Sequence, residues 1–562
     1  MLYRHLNDLV DTNRVITEGS WSSRRLVLRN DRMGYSLHDT VIQAGTEHRV
    51  NHKHHLETLY CIRGDGEVES LNDGTRHILS PGAVLAFSRG EPYVLRAHQE
   101  LQLVCVYNPA LSGQEVLDEE GSFSRFAEET IFVIGLNDWN RDMLSTIDRA
   151  EHYNFIKLLD SDKILETQEY AIEEIIHEAK RQLRGHNGTI DGLIHYIDFP
   201  VSTIVPIICD SFDLPSATLE SVLKCEHKYW SRVEQRAAVP ENIPSFAPFN
   251  PFDENPLEQL LETMDYPFWI KPVKSFSSYL GFRIDNAEQF AEALEEIREN
   301  IGRFSGPFNY LLNMIDMPSE LENIGGEYCL AEGIIGGMQC TQEGYSFNGD
   351  VEVYGTVDSF REANLTTFSS YQYPTILPDE VLERMTGITR RVIRQMGYDN
   401  APFNIEYFWD RETDQLWLLE INTRISESHC ELFEKVDGAS HHQVAVELST
   451  GRKPTFPHRK GKFNIAGKFF LREWEDAWVE DVPGDEVVRQ IEQEIIPDSS
   501  IQIVAHKGQY LSDLMDQDSY SYRVALMWLG GADKQDLEKK RKQCEELLYE
   551  HFVFKREGDN AA

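Results

Sequence analysis

The rhythm of apolar and polar positions changes along the chain. Over residues 1–120, short β-branched and aromatic runs (RRLVLR, TLYCIRGDGEVES, AVLAFS, LQLVCVYN) alternate with Asp, Gly and Asn turns at 63–66, 72–74 and Pro81-Gly82. Many short strands at this spacing predict an all-β sandwich or small barrel. From about Arg125 longer units take over. TIFVIGLNDWNRDML reads as a buried strand, a Gly turn and a helix start capped by Asn137 or Asp138. DGLIHYIDFPVSTIVPIICDSFDLPSAT continues as strand, crossover helix and loop, the alternation of an α/β layer with a parallel sheet. SVLKCEHKYWSRV is expected to be helical, IDNAEQFAEALEEIREN an amphipathic helix, and residues 533–551 a charged one. YPFWIKPVKSFSSYLGF predicts a strand carrying Lys271, a Ser-rich loop over 275–278, and Gly281. EYCLAEGIIGGMQCTQEGYSFNGDVEVYG predicts a strand, a tight Gly336-Gly337 turn and a hairpin.

The most informative stretch is residues 403–429, FNIEYFWDRETDQLWLLEINTRISESH. Apolar runs on both sides of the polar DRETDQ predict two strands and a turn. Glu420, Asn422 and Arg424 recur at period two, so they share a face. Glu406 is the one acid inside the aromatic strand NIEYF, and pairing of the strands would set it beside Glu420. Two carboxylates held together repel, and a divalent cation such as Mg²⁺, which takes hard oxygen ligands, resolves the conflict. Arg424 adds a permanent cation for developing negative charge. An ordinary hairpin with a surface ion pair would give the same local pattern. A strand lysine followed by small residues, as at Lys271, suits polyphosphate, whose oxygens meet the cation while loop N–H groups close over them.

Length and composition set the outer bounds. A chain of 562 residues should hold several domains. Its 54 basic against 94 acidic residues give a net charge of -40, which argues against nucleic acid or an anionic membrane surface as the main partner. Eight scattered cysteines without a C-x-x-C pair, a mixed-polar stretch over residues 1–10 and the absence of a long apolar run lead to the expectation of a reduced, cytoplasmic location. His48, His52, His54, His55 and Glu57 crowd one segment, which would suit a transition metal or simply a polar strand edge.

Two resemblances sharpen this reading. WSSRRLVL, MGYSLHDT, AGTEHRVNHKHHLETLYCIRGDGEVE and LRAH followed by LVCVYNPALSGQEV closely resemble ectoine synthase, a cupin-fold family, over nearly the whole first 120 residues. That family closes N-γ-acetyl-diaminobutyrate to ectoine with loss of water, using iron. The resemblance implies iron ligation by the Glu of H-L-E, here Glu57, by a Tyr shortly after the Pro-Gly turn, and by a His beyond it. The last two positions hold Leu85 and Tyr93, so iron is in doubt. The family's H-Y before H-L-E is Asn51-His52 here, and the His of its E-V-H-D segment is Leu117. Trp21, Arg25, Thr40, His55 and Glu57 stand at matching pocket positions, and a rebuilt site would draw on Glu57, Tyr93 and His52 or His55.

Residues 128–451 resemble the ATP-grasp superfamily of ligases in the order of their parts: a pre-domain, a lysine near a helix, a K-P strand lysine with a small-residue loop, an E-G-x-x-G hinge, then E…E-x-N-x-R. The resemblance implies Lys228, Lys271, Ser275, Ser277 and Ser278 on the ATP phosphates and Glu332 and Ile335 around adenine and ribose. It also implies two Mg²⁺ ions on Glu406, Glu420 and Asn422, with Arg424 and Lys271 as catalytic cations. The loop SFSSYLG departs from the commoner Gly-rich version.

The expected architecture is a multidomain chain: an all-β cupin barrel (1–122), then an α/β ATP-grasp fold with a pre-domain (126–220), ATP-binding α+β lobes (221–455) and a C-terminal α+β lobe (456–562). The expected activity joins a carboxylate to an amine through an acyl-phosphate, with the cupin half binding a related amino-acid compound or tuning the ligase. Expected partners are the carboxylate and amine substrates and a second copy in a homodimer. A bifunctional enzyme that also makes ectoine, and a non-catalytic nucleotide-binding sensor, are the competing readings.

Overall fold

The computed structural model describes residues 2–9, 12, 14–31, 33–111, 113, 115, 121–123, 129–161, 164, 170–275, 279–364, 367–514, 517 and 520–556, the side chains of Asn30 and Glu151 excepted. It divides into two compact units, residues 1–129 with 151–154, and residues 130–150 with 155–562.

The first unit is built of antiparallel strands in two sheets. One has the order Val15–Glu18, Trp21–Val27, Ser36–Ile42, Leu101–Asn108, Leu56–Arg63, Val84–Phe87; the other runs Thr46–Val50, Tyr93–Ala97, Gly66–Ser70, Arg76–Leu79. Alternation places the core: Leu101, Leu103, Cys105 and Tyr107 of one strand are buried and cluster with Leu59 and Cys61 of the adjoining strand and with Val68 and Leu95 of the other sheet. The turn at 63–66 needs its glycine, because Gly64 has φ +99° and a Cβ there would run into the Glu100 carbonyl.

The strand Glu129–Ile134, which enters the second unit at Thr130, runs parallel to Gly192–Ile194 through residues 131–133, as the strand-crossover pattern predicts. A four-stranded antiparallel sheet follows, in the order Phe246–Phe249, Cys329–Gly333, Phe268–Pro272, Phe282–Ile284. Helix Ala287–Asn300 buries Phe290, Ala293, Leu294 and Ile297, one apolar stripe of a 3.6-residue repeat. The largest sheet has eight strands: Gln415–Asn422, Ala401–Asp410, Met338–Phe347, Asp350–Arg361, Phe368–Tyr373, Ile465–Glu473, Tyr522–Gly531, Ser500–Ile503. Helix Asp379–Met396 packs Val381, Met385, Ile388, Val392 and Met396 against it and stops at Gly397, whose φ of +66° closes a left-handed cap.

Some element limits differ from expectation for local reasons. The helix expected over 221–233 is two helices, Leu219–Glu226 and Lys228–Ala238, because His227 leaves helical geometry (ψ 98°). Its ring caps the second helix by accepting from Trp230 N at 3.2 Å and meets the Ile324 carbonyl at 2.9 Å. Asn137, not Asp138, caps Asp138–Ser145; Asn286 and Asp533 cap Ala287–Asn300 and Lys534–Tyr549, so both those helices start later than their charge pattern suggests. All eight cysteines are free and buried. No helix among the described residues is long and apolar enough to cross a membrane.

One side chain ties the two larger sheets together. Arg232, on Lys228–Ala238, is fully buried; it donates to the Leu418 and Leu419 carbonyls of the hairpin at 3.0 and 2.8 Å and ion-pairs Glu332 of the four-stranded sheet. Replacing it leaves two buried carbonyls without donors and weakens the pairing of a buried acid. Arg232→Met should therefore lower stability by about 3–5 kcal/mol, read as a lower denaturant midpoint. An unchanged midpoint would show the clamp to be dispensable.

Candidate active site

The hairpin Ala401–Asp410/Gln415–Asn422 forms with the expected register: Glu406 lies opposite Glu420 and Asn404 opposite Asn422. Asp414 supplies the turn with a left-handed residue, φ +55°. Glu406 lies beside Gln339, which donates to its Oε2 at 2.8 Å, and both Glu406 and Glu420 are half-buried. Asn422 donates to Asn404 Oδ1 at 2.8 Å and stands 3.5 Å from Glu406 Oε1. Burial first, and then the charge of Glu420, pushes the Glu406 carboxyl above its ordinary range. Two carboxylates and an amide on one face are hard oxygen donors in mutual conflict, a donor set that suits Mg²⁺. Among the described residues no three His, Cys, Asp or Glu side chains form a ready metal cage, so further oxygens would have to come from a ligand or water.

The predicted lysines converge on the same region. Lys228 Nζ stands 4.0 Å from Glu420 and donates to the Ser275 carbonyl at 2.6 Å. Burial, helped by Lys274 and Lys271 and opposed by Glu420, brings its pKa down to about 8. Lys271 is 2.6 Å from Glu332, whose second partner is Arg232. Burial alone would raise the Glu332 carboxyl, but these two cations bring it down to about 2. The Glu332 side chain is thus taken up by ion pairs. Ile335 is half-buried in the link to strand Met338–Phe347, where Gly337 (φ +123°) passes so close to the Trp409 carbonyl that no Cβ fits. Ser277 and Ser278 lie outside the described residues.

Arg424 is not free beside the pair. Its Nη2 donates to Asp198 Oδ2 at 2.8 Å, and Asp198 is also 3.7 Å from Lys274, which ion-pairs Glu226. Thr423 donates to Glu226 at 2.7 Å, completing a buried net under the strand end. Burial opposes both charges, yet their mutual attraction raises Arg424 and lowers Asp198. Sequence reasoning missed Asp198, Glu226, Lys274, Arg232 and Gln339. Only Lys274, three residues beyond Lys271 in KPVK, carried a local signal.

In the first unit, Glu57, Tyr93 and His52 come together. Tyr93 donates to Glu57 Oε2 at 2.7 Å and stacks on Phe87 at 4.2 Å; His52 Nε2 lies 3.6 Å from Glu57 Oε1 and stacks on Phe123 at 4.8 Å. Burial would raise Glu57, but His52 and these hydrogen bonds hold it below its ordinary 4.5. Burial and Glu57 together keep the Tyr93 phenol protonated. Leu85 pairs with Leu59 and packs on the core. His55 turns to the Pro109 carbonyl at 3.0 Å and His48 to Ser20 and Thr46. Arg25 is buried and donates to the Gly113 carbonyl, Thr40 lies 3.4 Å from Ser23 Oγ, and Trp21 packs on the core. Leu117 lies outside the described residues. The grouped residues do not fit iron: one ligand position is aliphatic and the phenol that would take another donates to the remaining carboxylate.

The comparisons with known proteins match this division. The family model for ectoine synthase matches residues 1–127 and that for the ATP-grasp domain residues 264–431. Through its first 127 residues the chain belongs to the ectoine synthase family, and it carries an ATP-grasp domain behind them. The L-ectoine synthase of Teredinibacter turnerae is 41% identical over 130 residues, 23% of this chain and 98% of that protein. That of Desulfatibacillum aliphaticivorans is 46% identical over 125 residues, 22% and 96% of the two chains. Among solved structures, an L-amino acid ligase from Bacillus licheniformis shares the fold with a TM-score of 0.57 at 16% identity, over 76% of this chain and 100% of that one.

The carboxylate pair has a pH signature. Because the folded Glu406 carboxyl titrates above its ordinary 4.5, it keeps a proton that the unfolded chain has lost, and stability falls as pH rises through that window. Glu420→Gln removes the neighbouring charge. It should raise the stability of the metal-free protein above pH 7 by about 1 kcal/mol and flatten the fall, read by thermal unfolding across pH 5–9 (~ one carboxyl's window).

Proposed function

We propose that the second unit is an ATP-dependent carboxylate–amine ligase. The observation that carries this reading is the facing pair Glu406 and Glu420, with Lys228 at 4.0 Å and Arg424 two residues beyond Asn422. A substrate carboxylate oxygen attacks the γ-phosphorus of ATP, the bond to the ADP oxygen breaks, and an acyl-phosphate forms. An amine then attacks the acyl carbon and phosphate leaves. Lys228 and Lys271, with the Ser275 loop (Ser277 and Ser278 included), hold the phosphates; Glu332 and Ile335 border the nucleoside. Glu406, Glu420 and Asn422 would hold Mg²⁺, two ions in the fullest form, which supplies charge neutralisation at the transferring group. Arg424, kept in place by Asp198, stabilises the negative charge that builds on the acyl-phosphate. The fold shared with an L-amino acid ligase supports an amino-acid-like acid as substrate.

In this reading the cupin half binds a related amino-acid compound or tunes the ligase, without iron. The bifunctional alternative draws support from the retained Trp21, Arg25, Thr40, His55 and Glu57. The hydrogen bond from Tyr93 to Glu57 and the aliphatic Leu85 oppose it.

The test is a screen for Mg-dependent ADP release with pairs of amino acids, diaminobutyrate derivatives and ectoine among them. Release with at least one pair is expected, and Glu420→Gln should reduce it by about 100-fold or more, the loss expected of a ~3 kcal/mol charge contact. Turnover of Glu420→Gln at the native rate would sink the metal assignment.

Lys271→Met should weaken ATP binding about 10- to 100-fold, measured by calorimetry. Metal analysis of the purified chain should find no stoichiometric iron. Stoichiometric iron together with ectoine formation would promote the bifunctional reading.

A further inference from the structure

Four lysines among the described residues are buried: Lys271, Lys274, Lys435 and Lys468. The first three each have a carboxylate partner, Glu332, Glu226 and Glu431 in turn. Lys468 has none within ion-pair distance among the described residues, although the chain carries 94 acids. It is 7% exposed, and its ammonium makes one hydrogen bond, to Ser428 Oγ at 2.9 Å, with the Trp528 ring 4.7 Å beneath it. The acids whose charges reach it are engaged elsewhere: Glu427 accepts from Asn140 at 2.7 Å and Glu431 from Trp139 at 3.2 Å. An ammonium has three donors, and a buried cation without a counter-ion is costly.

Its position relates it to the reaction. Residues opposite one another on neighbouring strands share a face, as do residues two apart on one strand. Glu406 faces Thr341, two residues from Gln339; Gln339 faces Ser359, Ser359 faces Tyr371, and Tyr371 faces Lys468. The carboxylate pair and Lys468 therefore lie on one side of one continuous sheet. Tyr371, between them, is half-buried, and its ring is 5.3 Å from that of His429. The charges of Lys468 and Arg424 both act on His429. Ser428, which holds Lys468, follows Arg424 by four residues. Lys468 and Arg424 thus flank one short segment of chain.

We infer that a substrate of this site carries a carboxylate other than the one that is phosphorylated, and that Lys468 receives it. The inference rests on the ligase reading and narrows the substrates to amino acids or dicarboxylic acids rather than simple acids and amines. Burial, opposed by Glu427, brings the Lys468 pKa down to about 8, so the ammonium is the prevailing form at neutral pH and an incoming carboxylate would favour it further.

The test uses the full chain and three probes, L-glutamate, L-2,4-diaminobutyrate and glycine, each beside its α-carboxamide. Calorimetric titration without nucleotide should show at least one free acid binding about 10- to 100-fold more tightly than its amide. Lys468→Met should abolish that difference and Lys468→Arg should restore most of it, both variants being checked for native thermal unfolding. Equal binding of acid and amide, an unchanged preference in Lys468→Met, or no binding of any acid would each overturn the inference. ADP release with the same probes and Mg-ATP reports separately on the ligase reading. Lys468-dependent binding without ADP release would defeat that reading while leaving the anion site standing.

Discussion

The second unit depends on one buried ionic chain, Arg232–Glu332–Lys271. Each sheet taken alone has a face to cover, and apolar contacts cover it without specifying register. The guanidinium does, because its planar donors meet two successive carbonyls of the Glu406/Glu420 hairpin and a carboxylate on the other sheet at once. Glu332 then orients Lys271 at 2.6 Å. The position of Lys271 is thereby coupled to that of the carboxylate hairpin through a single fixed acid. Such a chain is poor as a source of stability compared with well-packed apolar groups, and its value lies in fixing geometry.

Around that frame the molecule tolerates charges that oppose one another. Glu406 beside Glu420 is unfavourable until a cation arrives, and Lys228 with its lowered pKa is unfavourable until an anion arrives. The first unit shows the reverse. There Tyr93 and His52 already satisfy Glu57, and the position that would add another donor is Leu85. The aliphatic Leu85 takes a donor away from the first site, whereas the conflict between Glu406 and Glu420 leaves the second with oxygens to offer a cation.

What the sequence revealed follows from how local each signal is. Glu406 and Glu420 could be paired from the chain alone because a short turn joins their strands and period-two alternation fixes the face. The resemblance carried Lys228, Lys271 and the departures at Leu85 and Tyr93. Asp198 was invisible because its partner Arg424 is 226 residues away, and Glu226 because Thr423 is 197 away. Their identities as acids say nothing until the fold closes. The break at His227 was missed for a related reason: periodicity across residues 221–233 is continuous, and the distant Ile324 carbonyl that engages its ring cannot be read from it.

The eight-stranded sheet passes without interruption from the Glu406/Glu420 hairpin to strands built from residues 465–531. Phe368–Tyr373 is hydrogen-bonded on one side to Asp350–Arg361 and on the other to Ile465–Glu473. The last hundred residues are therefore structural members of the sheet that bears the carboxylates, not an appendage that can be trimmed. A chain cut near residue 455 would leave Phe368–Tyr373 as a bare, aromatic edge, a template for pairing with another copy. Shortened forms of this protein would be expected to self-associate through that strand before any question of activity arose.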